Sequence, residues 1–172
     1  MVPTSKELNT KEDFFRVFSC DPVSGKLFWA VKPSIAVSCG SEAGGIYDGV
    51  VKVGYLGKSY CVHRVLAVMY GILDAYDSTL VIDHIDNNQS NNSSVNLRPC
   101  TQKQNSFNSS ISKANSSGIK GVSFDKEYGK WVAYVQTNGK LKKVGRYADI
   151  DDAAKAVRLA REALHGEYHN HG

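Results

Sequence analysis

The chain has 172 residues, of which 42% are hydrophobic and 22% charged, with a formal net charge of +4; this is a globular composition and excludes a disordered or fibrous protein. The length admits one ordinary domain or two small ones, and a pI near 8.8 permits a polyanionic partner without requiring it. No apolar run approaches ~18 residues, and the first residues lack a basic-then-apolar pattern, so neither membrane insertion nor export is expected and a cytoplasmic setting is.

Thr10 followed by Asp13 has the form of a capping box, which predicts a short helix carrying Phe14, Phe15, Val17 and Phe18. Asp21 to Gly25 reads as a turn, Lys26 to Val31 as a strand, and Ser34 to Gly45 as a stretch rich in Ser and Gly. Two strands, Val50 to Gly54 and Ser59 to Val62, are expected around a turn at Tyr55 to Lys58, followed by a buried helix over His63 to Tyr70 that ends at Gly71. The run Asn105 to Gly118 is poor in apolar residues and rich in Ser and Asn, which suits a linker. Beyond it come three short strands, Gly121 to Phe124, Trp131 to Gln136 and Leu141 to Tyr147, with a hairpin signal at Asn138-Gly139. An amphipathic helix should follow Asp149 or Asp151, with Ala153, Ala154, Val157, Ala160 and Leu164 on one stripe.

Cys20, Cys39, Cys61 and Cys100 form no C-x-x-C pair, so a structural zinc site of the ribbon or knuckle kind is not expected and free thiols are. The basic excess gathers in the last third, where Lys140, Lys142, Lys143 and Arg146 stand close together.

The segment from Val81 to Asn108 is unusual for a core. Asp83 and His84 end an apolar run, an Asn-rich stretch follows, and Asn96, Arg98 and Asn105 come after it. An Asp-His pair alone is ordinarily a solvated turn, and an Asn tract a linker. Here Asp83-His84-Ile85-Asp86, the Asn-rich loop, Val95-Asn96-Leu97-Arg98 and Thr101 to Asn105 together resemble the HNH nucleases of the His-Me-finger class. Asn96 follows His84 by 12 positions and Asn105 by 21, spacings that match the subgroup of phages and mobile introns.

The resemblance implies an α+β fold with a ββα-metal motif and hydrolysis of DNA phosphodiesters by one metal ion. His84 would be the general base, and Asp83 and Asn105 would hold the ion. Asn96 would brace the His84 loop. Oxygen ligands favour Mg2+ or Mn2+, and an imidazole whose ordinary pKa is ~6.5 suits a base at neutral pH. Expected products carry 5′-phosphate and 3′-hydroxyl ends. Two positions depart from the family pattern: Asn105 stands at the second family His, and Arg98 where an acid is frequent. His63-Arg64 matches an HR pair found in this subgroup; packing and a DNA phosphate contact weigh equally for Arg64, and His63 receives no catalytic role.

Residues 118 to 172 resemble the plant ethylene-response-factor type of DNA-binding domain, which is also found fused to phage HNH nucleases. The residues that carry this are Gly118-Ile119-Lys120-Gly121-Val122, Gly129-Lys130-Trp131-Val132-Ala133, Val144-Gly145-Arg146-Tyr147, Asp151-Asp152-Ala153-Ala154 and Leu164-His165-Gly166. In that family the sheet enters the major groove with its helix behind. Alternation assigns Trp131, Ala133 and Val135 to the helix side. Lys120, Ser123, Asp125, Tyr134, Gln136 and Lys143 match the family's contact positions, and Lys142, Lys143 and Arg146 suit phosphate contacts. Several of these positions are arginines in the plant domains, so no base preference carries over. His165, His169 and His171 have spacings open to a metal, although their place at the chain end favours a flexible terminus.

The expected organisation is a nuclease region over 1–108, a linker over 109–117 and a DNA-binding domain over 118–172. The expected protein is a monomeric homing-type endonuclease acting on double-stranded DNA in a phage-infected bacterial host. The competing reading is a non-catalytic DNA-binding protein on an HNH scaffold; an RNA-directed nuclease finds no aromatic RNP-like run.

Overall fold

In the computed structural model, which describes residues 8–112, 114–137 and 139–172, Thr10 opens helix α1 (Lys11–Phe15) through a complete capping box. Thr10 Oγ1 accepts from the Asp13 amide, and Asp13 Oδ2 accepts from the Thr10 amide, each at 3.2 Å. The helix stops earlier than the apolar spacing suggests. Phe18 begins strand β1 (Phe18–Asp21) and pairs with Trp29 of β2 (Lys26–Trp29), their rings 4.8 Å apart. Adjacent apolar residues at Val17 and Phe18 serve helix and strand equally well, and the cross-strand aromatic contact decides between them.

Strands β3 (Gly45–Tyr47), β4 (Val50–Tyr55) and β5 (Lys58–Cys61) form an antiparallel sheet in that order. β3 lies at the edge of the stretch read as Ser- and Gly-rich, where alternation is too short to announce a strand. Helix α2 (Val62–Tyr70) follows directly and is closed by Gly71 at φ 79°, a left-handed cap. Strands β6 (Val81–His84) and β7 (Leu97–Cys100) pair antiparallel around the Asn-rich loop. Phe14, Phe18, Leu27, Val65, Leu66 and Val68 are fully buried and anchor this core, each contributing about 1.5–3 kcal/mol by burial.

The chain divides into two compact units between Thr101 and Gln102, ahead of the expected linker. The second unit begins with α3 (Gln102–Phe107) and contains β8 (Val122–Asp125), β9 (Lys130–Thr137), β10 (Lys140–Tyr147) and α4 (Ile150–His165). Its antiparallel sheet has β9 in the centre, and Val122, Ala133, Ala153 and Val157 form a small core. Of the expected Asn138-Gly139 turn, Asn138 lies outside the described residues; Gly139 has φ 73°, which favours glycine.

The Ser- and Asn-rich segment is tied into the second unit. Asn115 Nδ2 donates to Ile119 O at 3.0 Å and Ser117 Oγ to Val122 O at 2.7 Å. The terminus is held too: Asn170 Nδ2 donates to Asn108 O and Oδ1 at 3.1 and 3.0 Å. The expected flexible end is thus corrected by buried polar groups that need partners. The architecture is mixed α/β with small antiparallel sheets, and no helix among the described residues is long and apolar enough to cross a membrane.

Candidate active site

The β6–β7 register sets Asp83 opposite Arg98 and His84 opposite Leu97. Because successive residues on a strand face opposite sides, Asp83 turns inward, where it is 4% exposed, while His84 stays partly open. Arg98 meets one carboxylate oxygen of Asp83 twice: Nε lies 2.8 Å and Nη2 2.7 Å from Oδ2. The guanidinium sits where an acid was expected from the family pattern, and it compensates the buried charge.

His84 Nε2 lies 2.8 Å from Asn92 Oδ1. An amide oxygen only accepts, so Nε2 carries the proton and the lone pair of the neutral ring is on Nδ1. Asn92 is itself buried. Its backbone rests against the Asp21–Gly25 turn: Ser94 N donates to Pro22 O at 2.8 Å, and a Cβ on Gly25 (φ 68°) would stand 2.4 Å from the Asn92 carbonyl carbon. Only glycine fits this turn against the loop.

Asn96 ties the two ends of the same loop. Its Nδ2 donates to Asp86 Oδ1 at 2.9 Å and Asn91 O at 2.7 Å, and its Oδ1 accepts from the Asp86 amide at 3.0 Å. The Ile85 amide donates to Asn96 O at 2.9 Å.

His63, at the start of α2, presents its ring 5.6 Å from that of His84 at 61°. Both line a concavity of about 140 Å³ together with Val50, Val51, Gln89 and Asn92. Burial, reinforced by His84 and Arg64, pushes the His63 pKa down to about 4, so this ring is neutral at physiological pH. Neighbouring Arg64 is bound to the backbone. Its guanidinium donates to the carbonyls of Tyr76, Ser78 and Leu80, the last at 2.7 Å. These bonds tie Arg64 to the segment that leads into β6.

The structure therefore brings together Asp83, His84 and Asn96, and adds two residues that sequence reasoning left out. Asn92 was one of several asparagines in a polar run, indistinguishable without the fold. His63 was visible as part of the HR pair. Asn105 stands on α3, the first helix of the second unit. Asp83 offers the hard oxygen that a divalent cation takes. The donor chemistry fits such an ion, with Arg98 as the competing charge.

On the second unit's sheet the register sorts the basic residues. Lys143 pairs with Tyr134, and Arg146 with Val132, which itself pairs with Ser123. Ser123, Tyr134, Gln136, Lys143 and Arg146 therefore share the face opposite α4. Lys142 pairs with Val135 and so lies on the other face from Lys143. Arg146 is braced, its Nη2 3.0 Å from Asp125 Oδ2 and its guanidinium 3.8 Å above the Tyr128 ring. Lys120 is partly buried. Its Nζ donates to the carbonyls of Phe107, Ser109 and Asn170, and burial, with Arg161 nearby, lowers its pKa to about 8.

Residues 60–107 match the HNH endonuclease family. The chain thus carries an HNH endonuclease family domain; members of that family act on DNA and generally use divalent metal ions. Among its relatives it is 38% identical over 87 residues to Protein 3.8 of Escherichia phage T7, covering 51% of this chain and 71% of that protein. It is 36% identical over 124 residues to an uncharacterized HNH endonuclease, L560, of Acanthamoeba polyphaga mimivirus, covering 66% of this chain and 63% of the relative. It is 42% identical over 62 residues to the DNA endonuclease I-HmuI of Bacillus phage SP01, covering 34% of each chain. No solved structure matches the chain significantly.

Proposed function

We propose that the protein is a phage homing-type endonuclease that hydrolyses DNA phosphodiester bonds, with His84 as general base. The observation that carries this reading is the contact between His84 Nε2 and Asn92 Oδ1 at 2.8 Å, which puts the lone pair of the neutral ring on Nδ1, in a side chain that lines the concavity. Nδ1 takes the proton of the attacking water, and Asn92 steadies the charged ring that results. Asn96 keeps the loop from drifting, so the imidazole needs no rearrangement at the moment of reaction.

Asp83 would hold a single Mg2+ or Mn2+ in a ββα-metal arrangement. When bound, such an ion supplies positive charge to the phosphate and to the leaving 3′ oxygen. Arg98 either yields Asp83 Oδ2 to the ion or continues to share it. The exposed face of the second unit, with Lys143 and Arg146 as phosphate contacts and Ser123, Tyr134 and Gln136 toward the bases, would hold duplex DNA.

The Asp83–Arg98 pair also favours a second reading, in which the carboxylate is permanently neutralised and the protein binds DNA without cutting it. Conversion of supercoiled plasmid carrying a cognate site to open-circular or linear product separates the two. Mg2+-dependent cutting that chelator abolishes and His84→Ala lacks is expected of the enzyme. Cutting by neither protein, with DNA binding intact, supports the scaffold.

A further inference from the structure

Helix α4 ends at His165, and Gly166 (φ 54°) turns the chain into a short 3-10 segment, Gly166–Tyr168, that brings the last residues back over the helix. There Glu162, His169 and His171 converge: one ligand atom from each lies within 4.8 Å of the others. His171 Nε2 is 3.1 Å from Glu162 Oε1, and the two imidazoles are 4.8 Å apart at 48°. We propose that Glu162, His169 and His171 form a binding site for a borderline divalent cation, with zinc(II) as the natural occupant, in the second unit and independent of His84.

The neighbours of each ligand favour this. His169 Nδ1 lies 2.6 Å from Gly166 O. A carbonyl only accepts, so Nδ1 holds the proton and the lone pair is on Nε2. This is the tautomer and the backbone partner that metal-bound histidines use. The residue between the two histidines is anchored: Asn170 donates to Asn108, which is 3% exposed, and its own carbonyl accepts from Lys120 Nζ at 3.1 Å. The H-x-H segment is thus held in place before any ion arrives.

Two imidazole nitrogens and a carboxylate oxygen are a donor set for zinc, with water to complete the tetrahedron. They are a poor one for magnesium, which prefers six oxygens. His171 sets the cost of binding. Arg161 Nη1 is 3.1 Å from its Nδ1, and a guanidinium only donates, so without metal the proton is on Nε2 and points to Glu162. Binding moves that proton to Nδ1 and displaces Arg161 Nη1, while Arg161 Nη2 keeps its bond to Lys120 O at 2.7 Å. The displaced contact makes the site weaker than a four-cysteine zinc centre, and it adds a clasp between the terminus and α4.

The full-length protein is stripped of metal and titrated with Co2+ and Zn2+, and the uptake and melting temperature of wild type, Glu162→Gln with His169→Ala, and His84→Ala are compared. These first two residues are exposed or partly exposed, so the metal-free melt of the double variant should stay near wild type. The expected result is one metal equivalent fewer in the double variant, loss of the visible cobalt band, and affinity reduced by at least about tenfold. Zinc should raise the melting temperature of wild type and of His84→Ala, but not of the double variant. Equal uptake and equal zinc shift in wild type and the double variant would overturn the proposal, as would a shift lost only with His84→Ala.

Discussion

Asp83 and Arg98 face each other across the β6–β7 pair, and one carboxylate oxygen takes two guanidinium nitrogens at 2.8 and 2.7 Å. A buried carboxylate stripped of its cation is costly, about 3–5 kcal/mol when one partner of such a pair is removed. Arg98→Met should therefore lower the metal-free stability by about 3 kcal/mol. A divalent ion can supply the missing charge, so melting should rise more steeply with Mg2+ in the variant than in wild type. Melts in chelator and across a Mg2+ series measure this. Parallel Mg2+ responses in the two proteins would show that Arg98 and the ion do not compete for Asp83.

Asn92 acts on the reaction through His84. Asn92→Ala should retain the fold and lower the single-turnover cutting rate by about tenfold to a hundredfold, since general-base assistance as a whole is worth about 10² to 10⁴. Gly25→Ala should produce a similar loss from a distance, because the added methyl meets the Asn92 backbone at 2.4 Å. An unchanged rate in both variants would remove the loop from the mechanism.

Much of the first unit was legible in the sequence. The Thr10–Asp13 box and the Gly71 cap are local signals, written in residues a turn apart. The contacts that organise the site are not local. Gly25 reads as an ordinary turn glycine until Asn92 is folded against it, and nothing within the Asn-rich run distinguishes Asn92 from Asn87 or Asn91. The same holds for Arg98, whose partner becomes known only with the register. In the second unit, alternation sorted the sheet faces correctly for Trp131 and Ala133, which pack against the core. It did not show that Lys120 is spent on three backbone carbonyls.

Acid should weaken the first unit through His63. Its folded pKa is about 4, below the ordinary 6.5, so between these values the unfolded chain binds the proton and the folded one does not. The stabilisation is complete above about pH 6.5 and is lost as the pH falls to about 4, a change of about 3 kcal/mol. His63→Gln should flatten this part of the curve. Denaturant unfolding at a series of pH values tests it, and an equally steep acid loss in the variant would assign the effect elsewhere.

Salt should reveal which cations meet DNA. Lys143→Ala and Arg146→Ala should each weaken binding and reduce the slope of log affinity against log salt by about 1. Lys120→Ala should leave the slope alone and lower the stability of the second unit. Filter binding at several salt concentrations checks both, and a slope that changes with Lys120 but not with Lys143 would contradict the assigned face.

His84 as the base of a DNA-cutting site is put to the test by the single-turnover rate of cleavage of a cognate duplex in saturating Mg2+, compared between wild type and His84→Ala. A ratio of about 10² or more is predicted; equal rates, with both proteins folded and bound to DNA, would contradict it.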